Sequence, residues 1–224
     1  MVNRMRVFQS SVGTKLLIGL TGFALFLYLI IHVSGNTLVL FGPDAFNGFH
    51  VLMTSNPLLP LIEIALLLLF LAHIFKTIAM FLSNRAARPI SYEMKKPAGS
   101  PSRKSLASST MIVTGLWLVA FLVLHVRAFR FPTPRYETPD GHLDLYRVEM
   151  ETLDNPLIVA FYVSSMLMIG SHLWHGASSA LQSLGLDHPR WTPRLLVIGR
   201  VASVAIAGMF IVITLWAYFS GGRQ

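Results

Sequence analysis

The chain has 224 residues, of which 54% are hydrophobic and only 12% are charged, and its net charge is +8. A soluble domain carries roughly 25% charged residues, so this composition excludes an ordinary soluble protein and predicts a membrane protein. The sequence contains no cysteine, which excludes disulfide bonds, thiolate-held iron–sulfur clusters and covalently attached c-type haem. Any redox cofactor must therefore be held by histidine or methionine.

Five apolar segments are long enough to cross a bilayer, which takes about 20 apolar residues. They lie at about 16–40, 58–82, 106–129, 157–181 and 195–219. The first is too long for a signal peptide and lacks an A-x-A cleavage pattern, so we interpret it as a span. The remaining arm, loops and tail are too short for a soluble domain. Residues 1–224 are therefore predicted to form a single all-α integral membrane domain, a bundle of five transmembrane helices.

The 18 lysines and arginines are divided unequally between the two sides of this predicted bundle. With the N-terminus inside, 13 fall on the inner side and five on the outer side, namely Arg127, Arg130, Arg135, Arg147 and Arg223. Positive charge collects on the cytoplasmic side of membrane proteins. We therefore expect the N-terminus inside and the C-terminus outside, in the inner (cytoplasmic) membrane of a cell. The acidic loop 130–156 suits the outer face. The positive charge fits anionic lipid or an acidic partner on the inner face and not nucleic acid.

Four of the histidines within the predicted spans form two pairs by depth. At about 1.5 Å per residue, His73 and His172 lie equally deep towards the inner side, and His32 and His125 lie towards the outer side. Two imidazoles from facing helices at one depth is the arrangement that bis-histidine haem requires. The pattern therefore predicts two stacked b haems. Zinc would need a third ligand, and no further His, Asp or Glu lies at either level.

The segment SHLWHG contains a second histidine, His175, one turn beyond His172. His172 shares the depth of His73, and Gly176 follows on the same face, where a glycine leaves room for a porphyrin edge. We therefore assign His172 as the iron ligand and His175 as a propionate or backbone partner near the inner interface.

The segment SSVGTKLLIGLTG leads to LIIHVSGN, and PDAFNGFHVLMTSNPLLPLIEIALLLLFLAHIFKTI follows. Further on are TGLWLVAFLVLHVRAFRF and FYVSSMLMIGSHLWHGASSALQSLGL, the latter with an H-x-x-x-G pattern. Together these segments resemble a known family, the di-haem cytochrome b membrane anchor of succinate dehydrogenases and fumarate reductases, in its single-subunit five-helix form. The resemblance extends over almost the whole chain. It implies that His32 and His125 are the axial ligands of a distal haem, and that His73 and His172 are those of a proximal haem.

The resemblance also implies a function, that of the membrane subunit of complex II, which joins the tricarboxylic acid cycle to the respiratory chain. An FAD-containing flavoprotein and an iron–sulfur subunit would bind the inner face, and electrons would pass through the two haems to menaquinone or ubiquinone. The chain itself would have no catalytic residue for succinate. Quinone chemistry needs protons near one membrane face, so Glu63 at the start of the second span and His50 in the adjoining loop are candidate quinone contacts.

Two other interpretations remain. The cytochrome b subunit of another respiratory enzyme, of the formate dehydrogenase or hydrogenase type, also pairs histidines across helices. A small transporter could use the intramembrane histidines as a proton relay. Such transporters show repeats and helices broken at mid-membrane, and neither is evident in this sequence.

Overall fold

The structure is a computed structural model that describes residues 10–87, 107, 110–186 and 188–221. Within these residues it contains helices and one isolated β-bridge, between Glu137 and Leu143, and no strand. The α-helices are α1 (Ser11–Asn36), α2 (Pro43–Thr54), α3 (Leu59–Ala86), α4 (Met111–Phe129), α5 (Leu145–Thr152), α6 (Pro156–Ser183) and α7 (Thr192–Gly221). A 3-10 segment, Thr37–Phe41, continues α1.

Five of these helices, α1, α3, α4, α6 and α7, are long and apolar enough to cross a membrane. The predicted number of spanning helices and the all-α class are therefore confirmed: the chain is an all-helical protein of the multi-pass membrane type. Much of the apolar surface of these helices faces outward, and α3 has no buried residue at all. In water such a surface would be unfavourable, whereas lipid tails solvate it well.

The ends of the helices differ from the predicted ones by a few residues. Helix α1 begins at Ser11, one turn before the predicted residue 16, because the Ser10 hydroxyl accepts a hydrogen bond from the Gly13 N–H at 3.0 Å. Helix α7 begins at Thr192 and not at 195. The start of α6 agrees with the sequence, since Asn155 caps it and Pro156 is its first residue. The predicted start of the third span, at residue 106, lies outside the described residues.

Two short helices lie in segments that the sequence predicts to be loops. Helix α2 begins at Pro43, after Gly42 has turned the chain with a φ of 98°. Helix α5 is capped by Asp144, whose Oδ1 accepts from the Arg147 N–H at 3.0 Å. Asn47 of α2 joins the two helices: its Nδ2 donates to Asp144 Oδ1 at 2.8 Å, and its Oδ1 accepts from the Tyr146 N–H at 2.9 Å. We call this end of the molecule the α2–α5 end.

Helix α6 is central to the packing, because it contacts α1, α4 and α7, while α1 also contacts α3. Small residues bring α6 and α7 close together. A Cβ atom built on Gly199 would lie 2.8 Å from the Ala177 Cβ, and one on Gly170 would lie 3.0 Å from the Ala207 Cβ. Close approach through small residues is a common way for helices to pack within a membrane.

The contact between Gly199 and Ala177 generates a test of this packing. Gly199→Ala should destabilise the fold by roughly 1–3 kcal/mol, because the new methyl group overpacks the α6–α7 interface. Gly208→Ala is the matched control, since a Cβ on Gly208 of the same helix would meet no atom within 4 Å. Thermal unfolding in detergent measures both variants. Equal unfolding midpoints for the two would contradict the packing described here.

Candidate cofactor site

The structure brings His32 of α1 and His125 of α4 together near the α2–α5 end. Their ring centroids are 5.9 Å apart and their planes are inclined at 88°. An imidazole nitrogen lies about 2 Å from a metal that it binds, and its ring centroid about 1 Å further, so two axial imidazoles have centroids about 6 Å apart. The observed spacing therefore matches that of two rings bound to one metal ion.

Aromatic side chains enclose this pair. Tyr28 stacks on His32 with a centroid distance of 5.4 Å, and Phe121 stacks on His125 at 5.3 Å. Both aromatic residues lie one turn before the histidine on the same helix. The Tyr162 hydroxyl of α6 lies 3.4 Å from His125 Nδ1. Aromatic rings thus surround the pair, and a hydroxyl group lies near Nδ1 of each ring.

The second predicted pair consists of His73 of α3 and His172 of α6. A threonine contacts each ring: Thr21 Oγ1 lies 3.1 Å from His73 Nδ1, and Thr114 Oγ1 lies 3.1 Å from His172 Nδ1. The first pair of histidines therefore comes from α1 and α4, and the second comes from α3 and α6 with threonine contacts from α1 and α4.

The threonine hydroxyls determine which nitrogen of each deep histidine carries the proton. Thr21 Oγ1 also bonds the Leu17 carbonyl at 2.7 Å, and Thr114 Oγ1 bonds the Met111 carbonyl at 3.1 Å. A carbonyl can only accept, so each hydroxyl donates its single proton there and accepts from the histidine Nδ1–H. In a neutral ring that donates from Nδ1, the lone pair is on Nε2, which is the form that binds a metal.

Each Nδ1 of the four histidines lies within 3.5 Å of a hydroxyl group, and no Nε2 bonds a described residue. His32 differs from the others, because its Nδ1 also lies 3.5 Å from Asn36 Nδ2, a donor. Among the described residues, His50 Nδ1 is the single side-chain nitrogen or oxygen that is both enclosed and without a hydrogen-bond partner. Because the four Nε2 atoms also have no partner but are not in this group, they are not fully enclosed. Four imidazole nitrogens are thus accessible to a ligand inside an apolar bundle.

A repeat in α1 and α4 underlies this geometry and was missed in the sequence. Thr21-Gly22 precedes His32 by 11 residues, and Thr114-Gly115 precedes His125 by the same number. Eleven residues make about three helical turns and rise about 16 Å, so threonine and histidine share one face. Each of the two helices therefore contributes its own histidine to one pair and the threonine that bonds a histidine of the other pair.

The two glycines of the repeat lie against the deep histidines. A Cβ on Gly22 would lie 3.0 Å from His73 Cε1, and one on Gly115 would lie 3.6 Å from His172 Cε1. The sequence pointed to Gly176 instead, where a Cβ would meet nothing within 4 Å. The repeated Thr-Gly dipeptide, read together with the histidine 11 residues later, is the signal that could have identified these positions.

His175 lies beside His172 but has no comparable arrangement. Its ring bonds no described residue, and the hydrogen bond at this position is made by its backbone carbonyl, which accepts from Ser178 Oγ at 2.8 Å. No hydroxyl therefore fixes the tautomer of His175, in contrast to His172.

The residues present fit a haem better than an isolated metal ion. Among the described residues, no group of three or more His, Asp or Glu side chains could hold a metal ion. A haem iron already has four porphyrin nitrogens and takes axial ligands from the protein. The imidazoles of His32, His125, His73 and His172 are the residues that would serve as such axial ligands.

The predicted quinone contacts, Glu63 and His50, line one cavity of about 460 Å³ at the α2–α5 end. Arg130 pairs with Glu63 through both carboxylate oxygens, at 2.9 and 3.2 Å. Burial, followed by the positive charges of Arg130, Arg135 and His142, lowers the pKa of His50 below its usual value. His50 is therefore neutral at pH 7, and its buried Nδ1 has no partner among the described residues.

Glu149 of α5 is a buried carboxyl group within the segment that the sequence treats as an acidic outer loop. Only 5% of its surface is exposed, and burial raises its pKa to about 8. It interacts electrostatically with Tyr162, the residue whose hydroxyl lies against His125. Glu149 is thus not part of an acidic surface, because α5 turns it into the core.

Comparisons with known protein families, curated proteins and solved structures found no match to this chain. Its class is therefore defined by its own structure, an all-helical protein with five helices long and apolar enough to span a membrane. The two pairs of histidines within those helices define the candidate site.

Proposed function

We propose that the protein binds two b haems and serves as the cytochrome b membrane anchor of a succinate:quinone oxidoreductase. His32 and His125 hold the distal haem, and His73 and His172 hold the proximal haem. The observation that carries this proposal is the environment of the four histidine rings. In each ring Nδ1 lies beside a hydroxyl group, and Nε2 has no partner among the described residues.

The side chains of the bundle determine what this site does chemically. A bis-histidine haem has no open coordination position, so it supplies one-electron transfer and not oxygen activation. Thr21 and Thr114 hold the deep imidazoles in the binding tautomer and keep them basic. Tyr28 and Phe121 exclude water from the other pair and lower the local dielectric constant. The threonine and histidine levels of the repeat are separated by a rise of about 16 Å along the helix.

The same proposal assigns a direction to the molecule. The α2–α5 end faces outward, and the opposite end, rich in lysine and arginine, faces the cytoplasm. An iron–sulfur subunit and a flavoprotein bind that basic face and deliver electrons to the proximal pair. The anchor then passes them to menaquinone or ubiquinone in the cytoplasmic membrane.

The cavity at the α2–α5 end supports a quinone site there. It has the volume of a small-molecule site, of which the usual range is about 300–1,000 Å³. His50 and Glu63 line this cavity, and Glu63 provides a carboxylate for proton exchange. Both stand at the end of the bundle where His32 and His125 lie, so electrons and protons meet at one face.

The alternative functions differ in what supports them. A cytochrome b subunit of formate dehydrogenase or hydrogenase type would use the same histidine pairs and is distinguished by its partner subunits. A transporter is less well supported, although the structure does contain a repeat. The residues that repeat are a histidine and the threonine that bonds a histidine of the other pair, so they belong to the candidate haem site. The five described spanning helices are continuous, whereas such transporters have helices broken at mid-membrane.

The first prediction concerns the choice between the two histidines of α6. His172→Ala should lower the haem content from two per chain to one, because an axial ligand is lost. His175→Ala is the matched control and should keep both haems. Haem extraction against protein concentration measures the difference. Loss of haem from His175→Ala with retention in His172→Ala would overturn the assignment.

The second prediction concerns the cavity. Glu63→Gln and His50→Leu should each slow the reduction of the haems by a quinol analogue by about 10²-fold, the typical contribution of a proton-transferring side chain. Reduction by dithionite should be unchanged, since it does not use the cavity. Stopped-flow absorption measures both rates, with Glu151→Gln, an exposed carboxylate outside the cavity, as the control. Unchanged quinol rates in both cavity variants would exclude this site.

A further inference from the structure

Arg200 is an exposed, charged residue within the membrane-spanning helix α7. It lies eight residues from the start of the helix at Thr192, which is about 12 Å along the helix axis. Trp174 of α6 lies at a similar level, about 13.5 Å from the end of its own helix at Ser183. A charged side chain at such a depth is costly unless it is paired, so Arg200 needs a counter-ion.

The guanidinium group of Arg200 stacks on the ring of Trp174 across the α6–α7 interface, with its Cζ atom 5.3 Å from the ring centroid. The two helices are close together at this level, because Gly199 of α7 packs against Ala177 of α6. The face of an aromatic ring attracts a cation. Trp174 therefore holds the guanidinium group in place at the surface between the two helices, where the tryptophan itself is 38% exposed.

The charge of Arg200 has no partner among the described residues. The stacking on Trp174 is its one interaction there, and no described carboxylate pairs with it. Helices α6 and α7 contain no aspartate or glutamate. A guanidinium group has five N–H donors and no acceptor. The partner that it requires is therefore an anionic acceptor from outside the described part of the chain.

The position of the stacked pair separates it from the candidate haem site. Trp174 follows His172 by two residues on α6, a rotation of about 200°, so the two side chains leave the helix on opposite sides. Trp174 and Arg200 are both exposed on the outside of the bundle. The haem-binding side of α6 and this surface are therefore different faces of the same helix.

The depth of Arg200 favours lipid over a soluble partner. Helix α7 has 30 residues and is about 45 Å long, whereas the hydrocarbon core of a bilayer is about 30 Å thick. A centred helix extends about 7 Å beyond the core at each end, so Arg200 starts about 5 Å inside the core. A long arginine side chain reaches the lipid headgroups from that depth. A protein that docks on the membrane surface does not reach down to it.

We propose that Arg200 and Trp174 form a binding site for the headgroup of one anionic phospholipid, at the end of the bundle opposite the α2–α5 end. The phosphate oxygens accept hydrogen bonds from the guanidinium group, as headgroups do in basic pockets between membrane helices. The acyl chains lie along Val201 and Val204, which are exposed on α7 beyond Arg200. A zwitterionic lipid is disfavoured because its own cation competes with the arginine for the phosphate. Haem is not required for this site.

The lipid that the purified full-length chain retains tests this site. Protein in micelles with equal amounts of dioleoylphosphatidylglycerol and dioleoylphosphatidylcholine is measured by native mass spectrometry. The unmodified chain should retain one phosphatidylglycerol in preference to phosphatidylcholine. Arg200→Gln should weaken this retention by about 10-fold or more, the loss expected for one charge-assisted hydrogen bond. Arg200→Lys keeps the charge without the planar fork of donors and should give an intermediate value.

Arg194→Gln is the matched control. Arg194 lies on the same helix, and its Cζ atom is also 5.3 Å from the ring centroid of a tryptophan, Trp191. It stands in the first turn of α7, where water reaches it, so its loss should leave lipid retention unchanged. In thermal unfolding, phosphatidylglycerol should raise the midpoint of the unmodified chain by binding to the folded state. Inorganic phosphate at the same concentration should not raise it.

A second measurement needs no arginine variant. In vesicles, phosphatidylglycerol with brominated acyl chains should quench the tryptophan fluorescence more than brominated phosphatidylcholine does. Trp174→Phe should remove this difference, because it removes the tryptophan beside the bound lipid.

Several results would overturn the lipid site. One is equal retention or equal quenching by the two lipids with the unmodified chain. Another is a preference for phosphatidylglycerol that survives Arg200→Gln, or that Arg194→Gln abolishes equally, since either would show a general attraction to the basic surface. Stabilisation by inorganic phosphate or by an acidic peptide, and not by phosphatidylglycerol, would also exclude it. These measurements do not depend on haem content, so the proposed function and the lipid site can fail separately.

Discussion

The hydrogen bonds from histidine to the two threonines are the interactions on which the candidate site depends. Because each hydroxyl already donates to a helix carbonyl, it can only accept from Nδ1, and the lone pair of each deep imidazole is left on Nε2. A histidine that could change tautomer in an apolar bundle would be a poorer ligand. Each bond also crosses between two helices, from α1 to α3 and from α4 to α6, so the ligand geometry and the helix packing are set together.

The repeat of α1 and α4 connects the two pairs of histidines along the bundle. A threonine at one level and a histidine about 16 Å further on the same face give each helix a part in both pairs. The short helices α2 and α5 then close one end, held to each other by Asn47. They place a polar cavity, a neutral histidine and a buried carboxyl group next to the pair of His32 and His125. Under the proposed function, electron-carrying and proton-handling groups would lie at the same end of the molecule.

Sequence reasoning recovered the parts of this structure that depend on the length of apolar runs and on depth along a helix. Five spanning helices follow from the bilayer thickness, and the pairing of His32 with His125 follows from helical rise alone. Helices α2 and α5 were missed because eight to 12 residues carry little periodic signal. The threonine partners were missed because contacts between helices depend on which faces meet. Glu149 was counted with the acidic loop because only the packing of α5 shows that it points inward.

The most direct test of the account is the number of haems bound by the purified chain, determined from the visible spectrum and the pyridine haemochrome assay against protein concentration. The account predicts about two low-spin b haems per chain. A colourless, normally folded protein would contradict it.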